Sequence, residues 1–196
     1  MRLRLPFFAL PLVIFCLLTG SIGCDSAGSG ADGETGRLRL FLTDAPFPFE
    51  LVDSTNVILT RVELVPKADS LERIVLSDDT LMFNLLDLQG GITAAVADTM
   101  LPVGSYSQLR LFVHDARIVL VDESEFDLAI PSGAQSGLKI LLNDLPIAPD
   151  SLTELTLDFD VAESFVVQGN PDTPAGIKGF TFKPVIKPLG FSIPEE

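Results

Sequence analysis

The run Leu155-Thr156-Leu157-Asp158-Phe159-Asp160-Val161 alternates strictly between apolar and polar side chains. A period of two is that of a half-buried β-strand. It puts Leu155, Leu157, Phe159 and Val161 on one face and Thr156, Asp158 and Asp160 on the other. Strand-like segments recur throughout the chain, at 37–42, 56–65, 73–76, 81–88, 109–113, 116–121, 125–130, 138–142 and 180–183. Turn residues separate them, among them Thr43-Asp44-Ala45-Pro46, Ser77-Asp78-Asp79, Gly90-Gly91, Asp122-Glu123-Ser124 and the loops 131–137 and 169–179. Residues 92–100 fit a short helix or extended chain equally well. A parallel α/β fold needs crossover helices between its strands, and no such segment is present. The expected architecture is all-β: one antiparallel β-sandwich of about eight to ten short strands, with Phe, Leu and Val filling the core. Pro184 and Pro188 push the last strand to a sheet edge.

The first 24 residues have a different character. Arg2 and Arg4 precede an apolar run from Leu5 to Leu18, interrupted by Pro6 and Pro11, and Ser21-Ile22-Gly23 lead to Cys24. A positive start, a short apolar middle and a small-residue exit make a secretory signal. The apolar run falls short of the ~20 residues that a spanning helix needs. Cys16 lies inside the run and would leave with it, so Cys24 would be the one cysteine of the mature chain. A lone cysteine in an exported protein wants a partner or a modification. Residues 21–24 resemble the lipobox of bacterial lipoproteins, with Ser21 where leucine is usual. The resemblance implies that residues 1–23 are a signal peptide and that Cys24 is acylated, with palmitate or a similar chain. Residues 24–36 then form a flexible tether of Gly, Ser, Ala and acid, spanning roughly 20 Å as a coil. The folded domain is expected over 37–191.

Charge narrows the function classes. The chain carries 13 Lys and Arg against 27 Asp and Glu. With Arg2 and Arg4 removed the mature net charge is −16. Such a surface repels nucleic acid, whose binding requires a positive footprint. Fourteen Phe against one Tyr and no Trp suits core filling better than a sugar-stacking platform.

Several segments together resemble one family: GRLRLFLTDAP at 36–46, NLLDLQGG at 84–91, LPVGSYSQLRL at 101–111 and SGLKILL at 136–142. They are similar to the bacterial lipoproteins of the domain of unknown function 4382 family. That resemblance implies an immunoglobulin-like or prealbumin-like sandwich on an envelope lipoprotein. It assigns no catalytic residue.

The chemistry-bearing residues are few. His114, in Phe112-Val113-His114-Asp115, is the one histidine, and a Ser/His/Asp reading would make it a general base. No nucleophile motif accompanies it, and a solvent-facing strand-end histidine beside a turn aspartate is the plainer reading. Asp158 and Asp160, about 7 Å apart on one strand face, could give two ligands of a calcium site or a glycosidase pair. An exposed acidic strand is the simpler alternative. Asp44, Asp87 and Asp172 stand beside turns, where aspartate bonds local backbone. Tyr106 could stack on a sugar or fasten its own turn through the hydroxyl. No cofactor is implied.

Together these features predict a lipid-anchored, non-enzymatic protein of the bacterial cell envelope. The expected location is the outer membrane, on its periplasmic or surface face. Its partners would be the membrane, through the N-terminal lipid, and an envelope protein or glycan. A calcium- or carbohydrate-binding surface module is the alternative.

Overall fold

The computed structural model describes residues 34–44, 50–68, 71–130, 133–170 and 172–194. The signal, Cys24, the tether as far as Gly33 and the segment Phe47-Pro48-Phe49 lie outside the described residues.

The alternating segments become strands of two main sheets. One has the order β12-β9-β1-β5, built from Ile186–Ser192, Leu152–Phe159, Thr35–Thr43 and Ala94–Pro102. The other has at its centre β2 (Val52–Pro66) and β6 (Gly104–Leu120), paired antiparallel from Val52↔Leu120 to Pro66↔Tyr106. The short strands β3 (Ile74–Ser77) and β4 (Leu81–Asn84) pair with β2; β7 (Glu125–Asp127) and β8 (Leu138–Ile147) pair with β6. A hairpin of β10 (Phe165–Gly169) and β11 (Ile177–Phe182) forms a small third sheet. The fold is an all-β sandwich.

Alternation fixes which side chains go inside. On β1, Leu38, Leu40 and Leu42 are at most 1% exposed, while Arg37 and Arg39 face outward. They join Leu155, Leu157 and Phe159 of β9, Val57, Leu59 and Leu64 of β2, and Leu109, Leu111 and Ile118 of β6 in a single buried cluster. Removing such side chains from water at about 25 cal/mol per Å² is the main stabilising contribution. Outside, Arg37 pairs with Asp98 (Nη2–Oδ2 2.8 Å), and Arg39 reaches Asp98 and Glu154 at 3.3 and 3.4 Å. These exposed pairs align the edges and add little energy.

Four expectations are corrected. Residues 109–113 and 116–121 are not two strands: β6 runs unbroken for 17 residues. Its buried positions shift phase between Val113 and Ala116, because Leu59 pairs Val113 while Ile58 pairs Asp115. His114 is the extra residue of a β-bulge, which breaks the period of two as a turn would. Secondly, β1 and β9 are parallel, with Leu40 opposite Leu155 and Leu42 opposite Leu157; the chain crosses from one sheet to the other between β8 and β9. Thirdly, residues 81–88 divide into β4 and a 3-10 turn at Leu85–Leu88, which Asn84 caps by accepting from the Leu86 N–H at 3.3 Å. Fourthly, there are twelve strands among the described residues. β10 is one of the additions, and β11 and β12 are separate strands. Residues 92–100 resolve as extended chain within β5, and β12, which carries Pro188, is a sheet edge as expected.

β1 begins at Thr35, inside the stretch read as tether, under tight constraint. A Cβ on Gly36 would lie 2.3 Å from the Ala148 carbonyl oxygen and 2.8 Å from Ile147 Cγ2. Gly36→Ala therefore forces backbone apart at the start of the central strand. The expected loss is roughly 1–3 kcal/mol, read as a lower urea midpoint with an unchanged slope.

Candidate functional site

The parallel strands β1 and β9 end side by side, and their ends bring acidic residues together. Thr43 pairs Asp158, so Asp44 and Asp160 follow at the same edge. Asp44 is 4% exposed. Its Oδ1 accepts from the Val161 N–H at 3.1 Å and its Oδ2 from Gln89 Nε2 at 3.3 Å. Its own N–H donates to the Leu88 carbonyl. This is long-range binding of one strand end to two distant turns, whereas local turn-capping is what the sequence suggests. Burial raises the Asp44 pKa to about 7. The Val161 and Gln89 donors oppose that rise, and the charges of Asp158 and Asp160 add to it.

Asp160 is not a strand residue, so it does not share a strand face with Asp158. β9 ends at Phe159, and Asp160 caps the single-turn helix α1 (Val161–Ser164) by accepting from the Glu163 N–H at 2.9 Å. Its other oxygen meets Lys187 Nζ at 3.0 Å, and the same ammonium reaches Glu163 at 3.1 Å. Burial pushes the Asp160 carboxyl up, but the Glu163 N–H and Lys187 together outweigh it, and its pKa lies below the ordinary value. A calcium ion takes six to eight oxygens. Among the described residues no group of three or more His, Cys, Asp or Glu side chains is placed to hold a metal. The two oxygens of Asp160 are already engaged within the fold.

The other named residues are dispersed. His114 is exposed on the bulge of β6, in mid-strand, and the neighbouring Asp115 carboxylate accepts from the Ala116 N–H at 3.0 Å. Asp87 is exposed in the 3-10 turn that Asn84 caps. At 172 the side chain that accepts the local hydrogen bond is that of Asn170, from the Asp172 N–H at 3.0 Å. Tyr106 does fasten its own turn: it is 3% exposed, and its hydroxyl donates to the Pro102 carbonyl at 2.8 Å.

Tyr106 also leads to a feature that sequence reading did not find. At the end of the domain where β1 begins lies an open groove of about 560 Å³, lined by Pro66, Leu71, Ile74, Pro102, Val103 and Tyr106 among others. Leu71 is 62% exposed and Val103 37%. The lining is mostly apolar, with Lys67 and Glu72 also bordering it. Lys67 pairs with Asp144 at 2.7 Å. The turn motif Pro102-Val103-Gly104 signalled a bend, but the other wall comes from residues some 30 or more positions earlier. No local pattern joins them.

The Asp44 geometry makes stability depend on pH. Unfolded, this carboxyl titrates near 3.8; folded, near 7. The folded state therefore binds more protons between those values. The contribution of Asp44 is fully present below pH 4, declines as pH rises to 7 and is constant above. A single proton limits the slope to about 1.4 kcal/mol per pH unit. Asp44→Asn, facing a Gln89 amide that can turn over to accept, should flatten this decline in urea midpoints measured from pH 4 to 8.

A family model described as "Domain of unknown function (DUF4382)" matches residues 35–184. The match runs from the first residue of β1 to just past β11 and holds both the Asp44 cluster and the apolar groove. No curated protein and no solved structure matches the chain. The LTDAP segment that ends β1 and the LPVGSYSQLRL segment that carries the groove's turn both fall inside the matched span, and the chain belongs to the DUF4382 family.

Proposed function

We propose that this chain is a lipid-anchored protein of the bacterial cell envelope whose β-sandwich serves a non-catalytic interaction or structural role. The observation that carries this reading is Cys24. It follows a positive and apolar leader, and about ten residues of Gly, Ser, Ala and acid connect it to the first strand. An acyl chain adds membrane affinity of about 0.8 kcal/mol per buried CH₂. Two chains, as a diacylglyceryl thioether on Cys24 would carry, are enough to hold the domain at a bilayer, where a single chain binds only marginally. The outer membrane is the location we infer.

The distribution of polar groups supports a non-catalytic role. Acid-base or nucleophilic catalysis needs groups within hydrogen-bond reach of one another and of a substrate. Here Asp44 and Asp160 are spent on backbone N–H groups, Gln89 and Lys187. His114 stands exposed at a bulge. The acidic cluster clasps together the ends of β1, β9 and β12, and the apolar groove lies at the opposite end of β1.

Expression with radiolabelled palmitate in a bacterial host tests the anchor. The wild-type chain should incorporate label and float with membranes, and Cys24→Ala should lose both. Label that persists after Cys24→Ala would overturn the assignment.

A further inference from the structure

We propose that the apolar groove beside the start of β1 seats against the lipid bilayer, so that the domain is held at the membrane in one orientation. This inference rests on the anchoring reading above and adds a second contact to it. The first observation is where the chain enters the fold. The Glu34 carbonyl accepts from the Val103 N–H at 2.9 Å, and Thr35 pairs Pro102. Val103 and Pro102 line the groove. The described chain therefore enters the domain at the rim of the groove.

The second observation is the length of chain left over. From Cys24 to Glu34 is ten residues, which as a coil span roughly 17 Å. With an acyl group on Cys24 the bilayer surface stands on average near that distance from Pro102 and Val103, and at most about 35 Å away with the ten residues fully extended. A short flexible linker converts a weak surface contact into an intramolecular one at high effective concentration. The third observation is the chemistry of the surface. Leu71, exposed by 62%, and Val103, by 37%, project beside Pro66, Ile74 and Pro102. Exposed and contiguous apolar surface of this kind marks an interaction site.

Charge selects the lipid. Lys67 borders the groove but is paired with Asp144, Glu72 stands beside it, and the mature chain carries −16. Anionic headgroups would be repelled. A zwitterionic surface, into which Leu71 and Val103 can insert, fits.

The chain has no Trp, so single tryptophans report depth directly. The full lipidated protein is reconstituted in phosphatidylcholine vesicles, with or without bromine on the acyl chains, as Val103→Trp, Leu71→Trp or Val121→Trp. Val121 is 54% exposed and follows the far end of β6, roughly 50 Å along that strand from Gly104 at about 3.3 Å per residue. Tryptophan at 103 and at 71 should shift to the blue and lose emission in brominated vesicles, and tryptophan at 121 should do neither. If the protein floats with the vesicles but 103 and 71 are not quenched, the groove does not meet the bilayer and the anchor stands alone. A blue shift without quenching means that a second copy or the protein's own acyl chain fills the groove, which also overturns the proposal. Equal quenching at all three positions overturns a fixed orientation. If the protein does not float, the anchoring reading fails and this inference fails with it.

Discussion

The burial of two facing rows of aliphatic side chains is the interaction on which everything else in this domain depends. Leu38, Leu40 and Leu42 of β1 and Leu155, Leu157 and Phe159 of β9 form one row, and the inward residues of β2 and β6 form the other. Pairing alone could not hold a sheet whose central strands, β1 and β9, are parallel and far apart in sequence. Closing the chain between them costs loop entropy, and the shared apolar core offsets it. Because the side-chain period is two, a slip of one residue in β1 would turn three leucines to solvent and Arg37 and Arg39 into the core.

From that packing follows the polarity of the domain. With β1 and β9 parallel, both N-terminal ends point one way and both C-terminal ends the other. The C-terminal ends gather Asp44, Asp158 and Asp160, and backbone donors, Gln89 and Lys187 engage the carboxylates of Asp44 and Asp160. At the N-terminal end the chain enters at Glu34 beside the apolar groove. One end is closed and stabilised internally, and the other is open. That asymmetry is the structural reason for placing the proposed interaction surface at the end where the chain enters rather than at the acidic end.

Local periodicity made much of the fold legible. The leucines of 38–42, the strict alternation of 155–159, the hairpin of β6 and β7 and the edge position of the Pro188 strand all follow from side-chain spacing and proline chemistry. The failures have physical causes as well. At His114 a single inserted residue shifted the phase and imitated a turn. At Asp160 the alternation continued one residue past the strand because a helix cap also favours aspartate. The groove was invisible because its walls are separated by a long stretch of chain, and the register of β2 against β6 brings Pro66 opposite Tyr106.

The sequence by itself determined the class of structure and the acidic balance, and it singled out Cys24, since composition, period and a leader are properties of neighbouring residues. Only the tertiary structure decided which strands became neighbours, that Asp44 would be buried with its pKa raised to about 7 and that the chain would enter beside an apolar groove. Those outcomes depend on contacts between residues tens of positions apart. They are set when the two aliphatic rows find their common register, and the energy that selects it is a sum over the whole core.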